Sequence, residues 1–155
     1  MTNADRIVSR LTERGETVAF AESTAGGLIT AAVITVPGAS AVIPGSLIAY
    51  GNRPKIDLLG VPRELLKEHG AVSAECARAM AERVRALMGT TWGVAETGIA
   101  GPGGGSPGKP AGGVYLAIAG PDGTRSEEFQ FEGERGEVMQ GIVAAGLDLL
   151  ARALG

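Results

Sequence analysis

Short β-like stretches alternate with helical ones along most of this chain, and that alternation constrains its fold more than any other feature. Strands separated by helices are joined by crossovers, pair in parallel and are covered by those helices. Asn3 to Arg14 carries Ile7, Val8 and Leu11 at helical spacing, and Gly15 is a natural stop. Thr17 to Glu22 reads as the first strand and Leu28 to Val36 as a helix ended by Pro37-Gly38. Gly45 to Tyr50 reads as a second strand closed by Gly51-Asn52, with short helical pieces following at Pro54 to Leu59 and Pro62 to His69. Ser73 caps a longer amphipathic helix with Cys76, Met80, Val84, Leu87 and Met88 on one stripe. Trp92 to Thr97 is the third strand, and a Gly/Pro segment from Gly98 to Gly113 leads into the fourth, Val114 to Ile118. Pro121-Asp122-Gly123 turns that strand into Arg125 to Glu132, an antiparallel hairpin, and a final helix runs from Glu137 to Leu154. The pattern predicts an α/β protein: a three-layer α/β/α sandwich on a mixed sheet of about five strands. At 155 residues it is read as one domain over residues 1–155.

Composition narrows the functional classes. A formal charge of −3 and the lack of a basic stripe argue against nucleic acid as a partner. The apolar stretches are broken by Gly and Pro well short of a membrane span, and the first residues carry no signal-peptide pattern. A cytoplasmic enzyme or binding module is expected. The single cysteine, Cys76, excludes an internal disulfide and a cysteine-based zinc site. Its place on the apolar side of a helix predicts a small buried residue rather than a reactive thiol.

The run Ala21-Glu22-Ser23-Thr24-Ala25-Gly26-Gly27 joins the first strand to the second helix. A serine there, beside two glycines and a helix N-terminus, sits where free backbone N–H groups collect and can hold a phosphate or an oxyanion. Taken alone, Ser23 reads as a nucleophile, a phosphate contact or an N-cap. The glycine segment offers two motifs that fail on context. Gly103 to Lys109 matches the first seven positions of a P-loop, but Pro110 stands where Ser or Thr should bind magnesium and a strand follows instead of a helix. Gly103, Gly105 and Gly108 fit G-x-G-x-x-G with the same missing helix. A glycine loop this long either approaches a ligand or crosses the surface.

Four segments together resemble one family. They are Ala21 to Gly27, Tyr50 with Lys55, His69-Gly70-Ala71-Val72-Ser73, and Thr97-Gly98-Ile99-Ala100-Gly101-Pro102 with Lys109-Pro110. The chain from Thr17 onward resembles the CinA C-terminal domain, the nicotinamide-nucleotide amidase family, whose larger members carry an additional N-terminal domain. The resemblance implies hydrolysis of the carboxamide of nicotinamide mononucleotide to nicotinate mononucleotide and ammonia, with no metal or other cofactor. It implies Ser23 as nucleophile and Tyr50 and Lys55 as its activating partners. It gives substrate binding to Thr24, Gly26, Gly27, Thr97, Gly98, Ala100, Gly101 and Lys109, and it implies a homodimer or larger.

The residue types suit that chemistry. An amide needs a nucleophile, a proton acceptor, an oxyanion site and a proton donor for ammonia. The N–H groups around Ala25 to Gly27 are candidates for the oxyanion site, and Lys55 becomes a base if burial or a cation such as Arg53 lowers its pKa. Arg135 reads as a phosphate contact or as a solvated arginine ahead of the last helix. His69 reads as a favourable charge at a helix end. The family's usual turn is Ala-Glu-Ser-Cys-Thr-Gly-Gly, so Thr24 and Ala25 are departures, and Met139 stands where a second arginine is usual. Losing the threonine hydroxyl and that arginine is expected to weaken the hold on an anionic nucleotide. Glu96 is expected to place a negative charge near the phosphate. A nucleotide-binding or regulatory member without turnover is the alternative reading.

Overall fold

Every residue of the first strand, β1 (Val18–Glu22), is buried, as a strand covered on both faces must be. The computed structural model describes residues 1–155. Ahead of β1 lies α1 (Asn3–Arg14), opened by a capping box between Thr2 and Asp5 and closed by Gly15 at φ 64°. After it come α2 (Leu28–Ile34), a short 3-10 turn at Ala39–Ala41, β2 (Leu47–Ile48), α3 (Asn52–Asp57), α4 (Arg63–His69) and α5 (Ala74–Met88). The chain ends with β3 (Trp92–Gly98), β4 (Gly113–Gly120), β5 (Gly123–Gln130) and α6 (Arg135–Leu154). The sheet is five-stranded and mixed, in the order β2-β1-β3-β4-β5. β1 lies parallel to both β2 and β3, while β4 and β5 run antiparallel as the expected hairpin.

Side-chain alternation along the strands creates two unlike faces. Val18, Phe20, Val94, Leu116 and Ile118 pack with α1, α2 and α6. The opposite face presents Ala19, Ala21, Ala95, Ala117 and Ala119 to Met80, Ala81 and Val84 of α5 and to Leu59 and Leu66. Five small side chains let α5 lie close to the sheet, and Gly93 marks the tightest approach. A Cβ there would sit 2.2 Å from the Ala81 carbonyl oxygen. Gly93→Ala is therefore expected to destabilise the fold by roughly 1–3 kcal/mol, read as a lower urea midpoint at unchanged slope.

Several boundaries differ from the sequence reading. The strand expected over 45–50 shrinks to Leu47–Ile48, pairing only with Ala21 and Glu22 at the sheet edge. The helix expected to Val36 ends at Ile34, because the residue before Pro37 is driven toward extended geometry. α3 starts at Asn52 and takes Pro54 into its first turn, where a missing N–H costs nothing. Leu87 leaves the buried stripe and is 48% exposed, since the i+4 series Cys76, Met80, Val84 defines the inward line. α6 begins at Arg135 rather than Glu137, fixed by a capping box between Glu134 and Glu137. No helix is long and apolar enough to cross a membrane.

Candidate active site

β2, β1 and β3 run in parallel, so their carboxyl ends share one edge of the sheet. The chain leaves β1 through α2 on one face and returns from β2 to β3 through α3, α4 and α5 on the other. Crossovers of opposite direction open a crevice at the carboxyl end of the central strand, and Ser23 occupies that point. The cleft beside it measures about 320 Å³.

Two buried carboxylates hold the serine turn. Glu22, the last residue of β1, accepts the N–H groups of Gly27, Ile29 and Thr30 at 2.9–3.1 Å and the Thr30 hydroxyl at 2.6 Å. It thereby satisfies the open N-terminus of α2 from within the protein. Glu96, from the neighbouring strand, accepts the N–H groups of Ser23 at 2.7 Å, Thr24 at 3.0 Å and Ala25 at 2.9 Å. Burial pushes the Glu96 carboxyl up to about 7 despite these three donors, with the nearby Glu22 adding to the rise. Gly26 and Gly27, at φ 62° and 100°, give the turn its left-handed step, and the Gly26 N–H returns to the Ser23 carbonyl.

This corrects the expectation for the turn. The N–H groups from Ser23 to Gly27 are occupied by carboxylates and a carbonyl of the chain itself, and neither Gly26 nor Gly27 lines the cleft. Glu96 turns its charge onto the backbone of the turn, on the α2 side of the sheet, instead of toward the cleft.

On the opposite side Ser23 meets Lys55. Although α3 is rich in charged residues, Lys55 is its one buried residue and is only 1% exposed. Its Nζ lies 3.0 Å from Ser23 Oγ, 2.7 Å from the Ala49 carbonyl oxygen and 3.0 Å from that of Tyr50. Burial holds the lysine below its ordinary range, against the opposing pull of Cys76 and Glu96. Arg53 plays no part, because its side chain points to solvent and pairs with Asp57. A neutral amine has two N–H donors and one lone pair. In that form the two carbonyls would take the N–H donors and the lone pair would face the Ser23 hydroxyl. That is the arrangement in which a lysine removes a serine proton.

Tyr50 enters differently from the expectation. Its backbone carbonyl grips Lys55, whereas its phenol is 62% exposed and accepts a hydrogen bond from Arg135 Nη2 at 2.7 Å. Arg135 Nη1 also donates to the Gly101 carbonyl at 3.0 Å, so the arginine closes the cleft from α6. Thr24 Oγ1 donates to the Gly98 carbonyl and Thr97 Oγ1 to that of Ala71, which pins the walls together. Ser23, Thr24, Tyr50, Lys55, Thr97, Gly98, Ala100, Gly101 and Arg135 all line the one cleft. Lys109 does not: its Nζ donates to the His69 carbonyl at the end of α4 and straps the glycine loop down. Asn52 lines the cleft although the sequence marks it only as a turn residue, and Gly103 and Gly104 of the glycine loop border it as well. Cys76 is fully buried and its thiol is pushed up to about 11, as a core residue's would be.

The family model of the CinA C-terminal domain matches residues 1–154. The chain belongs to that family. A CinA-like protein of Anaeromyxobacter dehalogenans (strain 2CP-1) is 49% identical over 150 residues, which are 97% of this chain and 37% of that protein. The chain thus spans little more than a third of the length of the curated CinA-like proteins it matches. The crystal structure of the competence/damage inducible protein CihA from Agrobacterium tumefaciens superposes with a TM-score of 0.94 at 40% identity, covering 98% of this chain and 93% of that one. A competence or damage-inducible protein from Enterobacter asburiae gives 0.95 at 29% identity, with 99% and 96% covered.

The departure from the usual CinA turn at position 25 lies away from the cleft. Ala25 is fully buried in the core shared by α1, α2 and α6 and does not border the cleft. A hydroxyl at that position would face the core rather than a phosphate. Met139 stands one turn beyond Arg135 on α6, where a second arginine would add charge on the same side of that helix.

Proposed function

We propose that this CinA domain hydrolyses the carboxamide of nicotinamide mononucleotide, giving nicotinate mononucleotide and ammonia. The observation that carries the reading is the 3.0 Å approach of Lys55 Nζ to Ser23 Oγ inside a buried pocket of carbonyls. Ser23 Oγ attacks the amide carbon while Lys55 takes its proton, and the carbonyl oxygen becomes an oxyanion. Collapse breaks the C–N bond, Lys55 returns the proton to the departing ammonia, and an ester to Ser23 remains. Water, deprotonated by the same lysine, attacks that ester, and collapse breaks the bond to Ser23 Oγ, which regains its proton from Lys55 as the carboxylate is freed.

The serine-turn amides are occupied, so oxyanion donors come from elsewhere. Ala100, Gly101, Gly103 and Gly104 line the cleft, and their N–H groups donate to no protein acceptor. They are the donors this reading assigns to the oxyanion and the nucleotide. Arg135 supplies the phosphate contact, with guanidinium donors left over after Gly101 and Tyr50. Because Lys55 acts as a neutral amine, activity is expected to rise with pH through its lowered pKa.

The test is production of ammonia and nicotinate mononucleotide from nicotinamide mononucleotide by the purified chain. Equimolar products support the reading. Calorimetric binding with no product over hours would replace hydrolysis with a binding role. Arg135→Ala is expected to raise KM on the order of ten- to a hundredfold, as loss of a charged hydrogen bond would, with kcat within a few-fold.

A further inference from the structure

Three successive N–H groups at a strand-to-helix turn need an acceptor, and in an open site water or a ligand anion provides it. Here a side chain from the next strand provides it. Glu96 Oε2 takes the N–H groups of Ser23 and Ala25 while Oε1 takes that of Thr24, and the carboxylate is completely buried. Ser23 is therefore gripped from both faces of the sheet: backbone by Glu96 on the α2 side, hydroxyl by Lys55 on the α5 side. We propose that Glu96 is a positioning residue for the nucleophile, its ionised carboxylate gathering residues 23–25 so that Ser23 Oγ is held against Lys55 Nζ. This inference rests on the reading of Ser23 as nucleophile.

A purely structural role and a positioning role differ in what ionisation does. Both oxygens are needed as acceptors, so a protonated Glu96 gives up part of the clamp. Burial and the charge of Glu22 from β1 bring this event to about pH 7. The other titratable groups packed around the pair are Lys55 from α3 and Cys76 from α5, whose thiol stays neutral there. The Glu96 charge favours the protonated form of Lys55, so removing it lowers the pH at which the lysine loses its proton.

Nitrogen–proton correlation spectra of the wild-type chain between pH 5 and 9 test the clamp without any substrate. The amide resonances of Ser23, Thr24 and Ala25 are expected to move together with one apparent pKa near 7. Amides that stay still over that range would overturn the proposal. In Glu96→Gln the side-chain NH₂ faces a backbone donor. That variant is expected to lose the shared titration, to titrate Lys55 at lower pH and to lose ten- to a hundredfold in kcat with KM within about threefold. A variant that keeps wild-type kcat and Lys55 titration would also overturn it. If Glu96→Gln does not fold, the wild-type spectra decide alone. A wild-type chain that releases no ammonia yet shows the shared titration removes the proposed reaction and leaves the clamp standing.

Discussion

Ser23→Ala is expected to abolish ammonia release from nicotinamide mononucleotide, by at least roughly a thousandfold in kcat, while the protein stays folded. The size follows from removing the group to which the proposed mechanism gives the covalent ester, since residues acting as one nucleophilic unit cost nearly the whole rate when one is lost. The fold is spared because the change deletes one oxygen from a small buried residue. Lys55 Nζ keeps its bonds to the Ala49 and Tyr50 carbonyls, and the backbone bonds to Glu96 do not involve the side chain. Stability should change by only about 1 kcal/mol. A coupled ammonia assay, chromatography of the product and a thermal melt check all three statements, and persisting turnover in a folded variant would remove Ser23 from the chemistry.

Lys55→Met carries the second large effect. Methionine nearly fills the buried volume but cannot take a proton, so kcat is expected to fall by roughly a hundred- to ten-thousandfold. Its stability signature is separate from its catalytic one. Burial disfavours the charged lysine in the folded state, so between its lowered pKa and the ordinary 10.5 the unfolded chain binds more protons than the folded one. Wild-type stability therefore rises with pH through that window, and the methionine variant lacks the rise. Urea unfolding at several alkaline pH values measures the difference. An equal slope in the two proteins would show that Lys55 titrates normally and is no neutral base.

The layers of the fold were legible because they follow from period. The i+4 line of α5, the hairpin turn at Pro121-Asp122 and the buried β1 are written in apolar spacing and in Gly and Pro. β2 was overread, since Gly45 and Ser46 look strand-compatible while only Leu47 and Ile48 find a partner. The site was legible chiefly through resemblance. Nothing in the local sequence around Lys55, flanked by Arg53 and Asp57, says that it turns inward toward a serine 32 residues earlier. The serine turn departs from its expected form for a related reason. Free N–H groups were expected there because helix starts leave them open, but whether a distant carboxylate reaches them depends on strand pairing, which sets Ala21 opposite Ala95 and so brings Glu96 alongside Glu22. Ala25 shows the same limit, its inward direction being a property of the packed turn.

The alanine-covered face of the sheet gives the cleft two walls of different stiffness. Where α5 lies almost on the strands, with Gly93 against the Ala81 carbonyl, there is no slack for it to slide. Ser73 caps the start of that helix, and Ala71, two residues before the cap, accepts a hydrogen bond from Thr97 Oγ1. The facing wall runs through Gly101, Gly103 and Gly104, where the one hydrogen bond is from Arg135 to the Gly101 carbonyl. The cleft thus has a closely packed wall on one side and a sparsely bonded strip on the other. Changes in what the pocket accepts should arise by altering the strip.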